Sequence, residues 1–80
     1  MATQIMRNRL RTRREERGWS AVELASRSGV SRITIGWIER DQQVPSGTVQ
    51  LKLAEALGTT VQDLFWSEPA EPEPVEAAAS

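Results

Sequence analysis

The 80-residue sequence contains neither cysteine nor histidine. That double absence excludes disulfide frameworks, thiolate and imidazole metal sites, and nucleophilic catalysis by Cys–His or Ser–His pairs. Long apolar runs are also missing, and the longest fall far short of the roughly 20 residues that span a bilayer. The N-terminal stretch MATQIMRNRLRTRR lacks the apolar segment of a signal peptide, so cytoplasmic residence is the expectation. No glycine-rich phosphate loop occurs. Glu15 and Glu16 adjoin in sequence but diverge on a helix, which leaves no paired-carboxylate acid–base site. Neither an enzyme nor a cofactor or metal is expected.

The net charge of −1 conceals a division along the chain. Residues 67–80, SEPAEPEPVEAAAS, carry four glutamates, three of the four prolines and no base. Residues 1–66 hold ten basic against seven acidic side chains, a net of +3, and residues 7–17 alone hold six arginines against two glutamates. The domain is therefore placed at residues 1–66. The segment 67–80 reads as a disordered acidic tail, because so few apolar groups cannot offset the entropy of ordering it. Such a tail is either a solvated extension or an internal mimic of nucleic-acid charge. A 66-residue body buries only about 60% of its unfolded surface, so compact helix packing or a partner subunit must supply the remaining stability.

Helix signals recur along this body, and no run shows sustained strand alternation. Met6, Leu10 and Arg14 at i, i+4 and i+8 predict a first helix near residues 4–16, stopped by Gly18. Ser20 is a cap with Glu23 completing a capping box, and Trp19 and Leu24 form a hydrophobic staple. This second helix ends at Ser28-Gly29. Ser31 caps a third helix running to about Arg40, with a Val30–Ile35 staple. Pro45-Ser46 opens a fourth, carrying Val49, Leu53 and Leu57 and ended by Gly58. Thr60 caps a short fifth helix with Leu64 and Phe65. Five helices on short loops define a compact all-α domain.

Residues 20–39 form a short helix, a glycine turn and a second short helix. Ala25 lies where the two helices cross, Gly29 supplies the turn, and Leu24, Val30, Ile35 and Ile38 face inward. These positions fit a helix-turn-helix, whose second helix enters the DNA major groove. The segments R-x-x-R-G-W-S (14–20), G-V-S-R-x-T-I (29–35), I-E-R (38–40) and L-x-L-A-x-A-L-G-x-x-V-x-D-L-F (51–65) resemble the lambda-repressor-like, Cro-type (xenobiotic-response-element) helix-turn-helix domain. The resemblance covers about residues 5–66. It implies a five-helix fold with a pairing of Arg14 and Glu39, and a homodimer that binds operator DNA to control transcription, most often as a repressor. It places the dimer contact on the side of Val44, Pro45, Val61 and Trp66. Some relatives with a similar V-P-S-x-x-V-x-L-x-L-A segment continue into a ligand-sensing domain, which this chain is expected to lack. Three positions depart from the pattern: Ala21 replaces a phosphate-gripping glutamine, Asp41 replaces a glycine, and the outer face of the third helix is unusually apolar.

On that third helix Ile35, Ile38 and Glu39 form the inward face, whereas Ile33, Gly36, Trp37 and Arg40 cluster opposite, with Arg32 at the leading edge. Arg14 is also inward and needs a partner, for which Glu39 is the candidate. Ile33 and Trp37 are either extra core, a protein-docking patch, or apolar contacts to thymine methyls; the inward face already serves so small a core, which favours the groove. Arg32 suits base reading, since its fork can bond guanine O6 and N7 together, and Gly36 would admit a close backbone approach. Ser20, Ala21, Ser31, Arg40, Gln42 and Gln43 fall where phosphate contacts are expected, although the two glutamines also read as plain loop polarity. Two functions from different classes follow: a double-stranded DNA-binding regulator, or a protein-interaction module using the Ile33/Trp37 surface.

Overall fold

The computed structural model describes residues 4–69. In chain order these form β1 (Gln4–Asn8), α1 (Leu10–Glu16), α2 (Ala21–Ser28), α3 (Arg32–Glu39), α4 (Gly47–Leu57), α5 (Val61–Leu64) and β2 (Phe65–Pro69). The five helices stand where caps and periodicity put them, with one exception at the N-terminus. Side-chain oxygens of Ser20, Ser31, Ser46 and Thr60 each accept a bond from the backbone N–H three residues on, so four of the five helices start on a satisfied donor.

The exception is α1, which begins at Leu10 and not near residue 4. Asn8 stops the helix from extending upstream. Its Oδ1 accepts from the Leu10 N–H at 3.0 Å, while its Nδ2 donates to the Ile38 carbonyl at 3.0 Å and to Asp41 Oδ1 at 3.2 Å. The Arg9 N–H donates to the Leu64 carbonyl at 3.0 Å. Residues 4–8 are thereby held extended and pair antiparallel with β2: Asn8 opposite Phe65, Arg7 opposite Trp66, Met6 opposite Ser67 and Ile5 opposite Glu68. Met6 packs on the core from this strand, and only Leu10 and Arg14 of the expected stripe lie on α1.

The ribbon also moves the boundary of the body. Ser67, Glu68 and Pro69 belong to β2 and not to a tail; the rest of the acidic segment, 70–80, lies outside the described residues. Arg7 Nε donates to Glu68 Oε1 at 3.0 Å, Trp66 Nε1 donates to Glu68 Oε2 at 3.1 Å, and the Arg9 guanidinium stacks 4.6 Å from the Trp66 ring centre. The outward face of the ribbon is thus closed by its own charges and rings.

The core draws on every helix: Leu10, Leu24, Ile35, Ile38, Leu53 and Leu64 are fully buried, joined by Val30, Ala54, Leu57 and Phe65. Each large aliphatic side chain withdrawn from water contributes about 1.5–3 kcal/mol. α2 packs on α3 and α4, and α1 reaches α3 through the Arg14–Glu39 pair. Helices α2 and α3 are consequently fixed from behind and bare in front.

Candidate nucleic-acid interface

The interface is built from two short helices and the turn between them. Ser20 Oγ caps α2 by accepting from the Glu23 N–H at 3.1 Å. The returned bond that a capping box implies, from the Ser20 N–H to the Glu23 carboxylate, does not form. The carboxylate accepts from Arg27 Nε instead, at 2.6 Å, because an arginine one turn on offers a charge-assisted bond. Gly29 turns the chain at φ +78°, a conformation costly for residues with a side chain, and α3 starts at once. Ser31 accepts from the Thr34 N–H at 3.0 Å and its hydroxyl donates to Thr34 Oγ1 at 2.9 Å. At its far end α3 gives way to Asp41 at φ +59°, a conformation aspartate tolerates.

Ion pairing sets the orientation of α3. Arg14 Nε and Nη2 donate to the two Glu39 oxygens at 2.8 and 3.0 Å, and Nη1 donates to the Trp19 carbonyl at 2.8 Å. The two side chains are only 12% and 9% exposed. The Glu39 hydrogen bonds raise the pKa of the Arg14 guanidinium above its ordinary value, because they favour its charged form. One fork therefore ties α1, the loop before α2 and the inner face of α3 together.

The outer face is a shallow groove of about 390 Å³, lined by the cap Ser20 with Ala21 and Val22 of α2, by Arg32, Ile33 and Gly36 of α3, and by Arg40, which caps the end of α3. Ile33 is 58% exposed there. Trp37, 43% exposed, stands beside the groove without lining it. Val22 is an addition to the groove residues expected from the sequence. It lies two positions from the inward Leu24, roughly 200° around the helix, and that offset was the available signal. Gln42 adjoins the groove through Arg40, whose Nε reaches Gln42 Oε1 at 3.4 Å. Gln43 does not: it lines a separate cavity of about 380 Å³ beside β1, together with Val44 and Pro45. Of the expected dimer residues, Val44 is 68% exposed, Pro45 is buried within the chain, Val61 is half-buried against the core, and Trp66 sits half-buried on β2.

Charge is distributed unevenly over this scaffold. Arg7, Arg11, Arg13, Arg14 and Arg27 pair with carboxylates, and Arg9 and Arg17 lie over the rings of Trp66 and Trp19. Arg17 also donates to the Leu57 carbonyl at 2.7 Å. The basic N-terminal run is thus largely spent inside the molecule. Arg32 and Arg40 meet no carboxylate among the described residues, and both line the groove. Two uncompensated guanidinium groups flanking an apolar floor, on a helix held outward by a glycine turn, define a helix-turn-helix DNA-binding domain.

Comparison with known proteins agrees. Residues 5–65 match the helix-turn-helix domain family. The chain is 35% identical over 63 residues to the uncharacterized HTH-type transcriptional regulator YgzD of Bacillus subtilis, covering 79% of this chain and 96% of that one. Among solved structures it is similar to the restriction-modification controller protein C.AhdI of Aeromonas hydrophila, with a TM-score of 0.66 and 40% identity over 69% of this chain and 83% of the other. It is also similar to a chain of the SinR–SinI protein complex, with a TM-score of 0.65 and 34% identity over 68% of this chain and 53% of that one. The chain belongs to the helix-turn-helix family, with a Cro- and lambda-repressor-like domain, and is a DNA-binding transcriptional regulator. Among the described residues no helix is long and apolar enough to cross a membrane.

Proposed function

We propose that the protein is a cytoplasmic repressor that binds operator DNA as a homodimer and acts by occupancy, without catalysis. α3 enters the major groove. Arg32 reads a base pair, Ile33 and Trp37 meet thymine methyls, and the start of α2 around Ser20 and Ala21 abuts the phosphate backbone. The observation that carries this reading is the groove itself, where Arg32 and Arg40 meet no carboxylate among the described residues while the arginines of α1 are paired. The arrangement offers charge to a polyanion and apolar contact to base edges from a single helix.

The exposed Val22, Ile33 and Trp37 give a second reading some footing, since an apolar patch also suits a protein partner. One titration separates the two. Operator binding weakens linearly in log[salt] as counterions are released, and selection from a random duplex pool returns one recurring sequence. Salt-insensitive binding with no recurring sequence would defeat the DNA reading and leave the protein-docking one.

A further inference from the structure

Position 36, at the centre of the exposed face of α3, has no side chain, although glycine weakens a helix interior relative to alanine. The space above it is filled from one turn further on. A Cβ placed on Gly36 would lie 3.3 Å from Nη1, 3.6 Å from Nη2 and 3.8 Å from Cζ of Arg40. The Arg40 guanidinium therefore packs closely over the bare surface of residue 36, within contact distance of where a Cβ would stand. Helix geometry favours this, because side chains lean toward the N-terminus and residue i+4 covers the surface above residue i. Arg40 Nε is turned toward Gln42 Oε1 at 3.4 Å, and Nη1 and Nη2 have no hydrogen-bond partner among the described residues. Arg40 lines the same groove as Arg32 and Ile33.

We propose that Gly36 and Arg40 form one composite base-reading element. The glycine vacates the middle of the recognition face, and Arg40 fills it with a guanidinium fork that reads guanine in a base pair distinct from the one read by Arg32. Arg40 is then a specificity determinant and not the phosphate anchor that its place at the end of α3 implied. The proposal rests on α3 lying in the major groove, and its test distinguishes failure of that premise from failure of the proposal.

Four single variants, Arg40→Lys, Arg40→Ala, Gly36→Ala and Arg32→Ala, are titrated against the duplex selected by the wild type, its single-base-pair substitutions and a scrambled duplex, with circular dichroism checking the fold. Lysine keeps the charge but loses the fork, so Arg40→Lys should lose roughly tenfold or more of the preference at one G·C pair. Its scrambled-duplex affinity and salt slope should match the wild type. Gly36→Ala crowds the guanidinium by a few tenths of an ångström and should weaken preference at that same pair, with helicity retained or raised. Arg32→Ala should relax a different pair. Wild-type preferences at every position in Arg40→Lys would overturn the proposal, as would an Arg40→Ala variant that weakens all duplexes equally and lowers the salt slope by about one. A wild type with no sequence preference would instead overturn the groove reading.

Discussion

At the scale of single residues, two polar clusters decide how firmly the scaffold holds its helices. Arg14 makes three hydrogen bonds from a nearly buried position, and its removal would strand the Glu39 carboxylate. Arg14→Ala should therefore cost about 3 kcal/mol, the lower end for breaking a buried pair. In a domain this small, each kcal/mol lowers the melting temperature by roughly 4–8 °C. A melt within 2–3 °C of the wild type, on the order of half a kcal/mol, would show the pair to be dispensable. Asp63 gives the second test. It accepts from Arg13 Nε and Nη2 at 2.9 Å each and from the Thr59 hydroxyl at 2.9 Å. Arg13 first, and Thr59 next, lower its carboxyl from 3.8 to about 2. A carboxyl depressed by folding stabilises the native state above its unfolded value, and that contribution disappears as pH falls through the folded one. The urea midpoint should thus drop between about pH 4 and pH 2, and Asp63→Asn should flatten that part of the curve. Parallel curves for the two proteins in this window would refute the assignment.

At the scale of elements, the ribbon is the feature that connects the two ends of the domain. Ending the chain after Trp66 removes the pairs of Ile5 with Glu68 and Met6 with Ser67, together with the Arg7–Glu68 bridge. Cross-strand pairs contribute about 0.2–1 kcal/mol each, so this truncation should cost roughly 1–2 kcal/mol. Ending the chain after Pro69 should cost nothing measurable and, by deleting Glu71, Glu73 and Glu76, should leave DNA affinity equal or modestly higher at low salt. Equal melts for the two truncations would show that β2 adds no stability. The helices were legible in the sequence because each cap is decided within four residues: Ser20, Ser31, Ser46 and Thr60 bond the N–H three positions along. The ribbon was not, because its pairing joins residues about sixty positions apart, and neither strand alternates clearly on its own. The same contrast runs through the interface. Arg32, Ile33, Gly36 and Arg40 share a face by periodicity alone, whereas the entry of Val22 into the groove depends on how α2 crosses α3. That Arg40 folds back over Gly36 is a matter of rotamers, which spacing does not specify.

At the scale of the whole molecule, the proposed reading turns the groove of Arg32 and Arg40 toward DNA, and a single copy of that face would read only a few base pairs. A second copy would double the contact and fix the register, since recognition helices related by a two-fold axis meet successive major grooves roughly 34 Å apart. Val44 lines the cavity beside β1, and Trp66 lies on β2 opposite Arg7. Pro45 is already covered within the chain and Val61 is partly covered, so Val44 supplies the exposed apolar surface for such a contact. The duplex selected by the protein should therefore be a two-fold repeat with half-sites about one helical turn apart, bound by two chains. Val44→Asp, at a position 68% exposed and outside the lining of the α2–α3 groove, should leave the fold and half-site binding intact. It should abolish cooperative occupancy of the full site, because an aspartate placed at a two-fold contact meets its own image and desolvates two like charges. Sedimentation of protein–duplex mixtures reads this directly. If the Val44→Asp variant still loads two chains cooperatively, the contact lies elsewhere on the surface; if the wild type never loads more than one chain on any selected duplex, the regulator acts as a monomer.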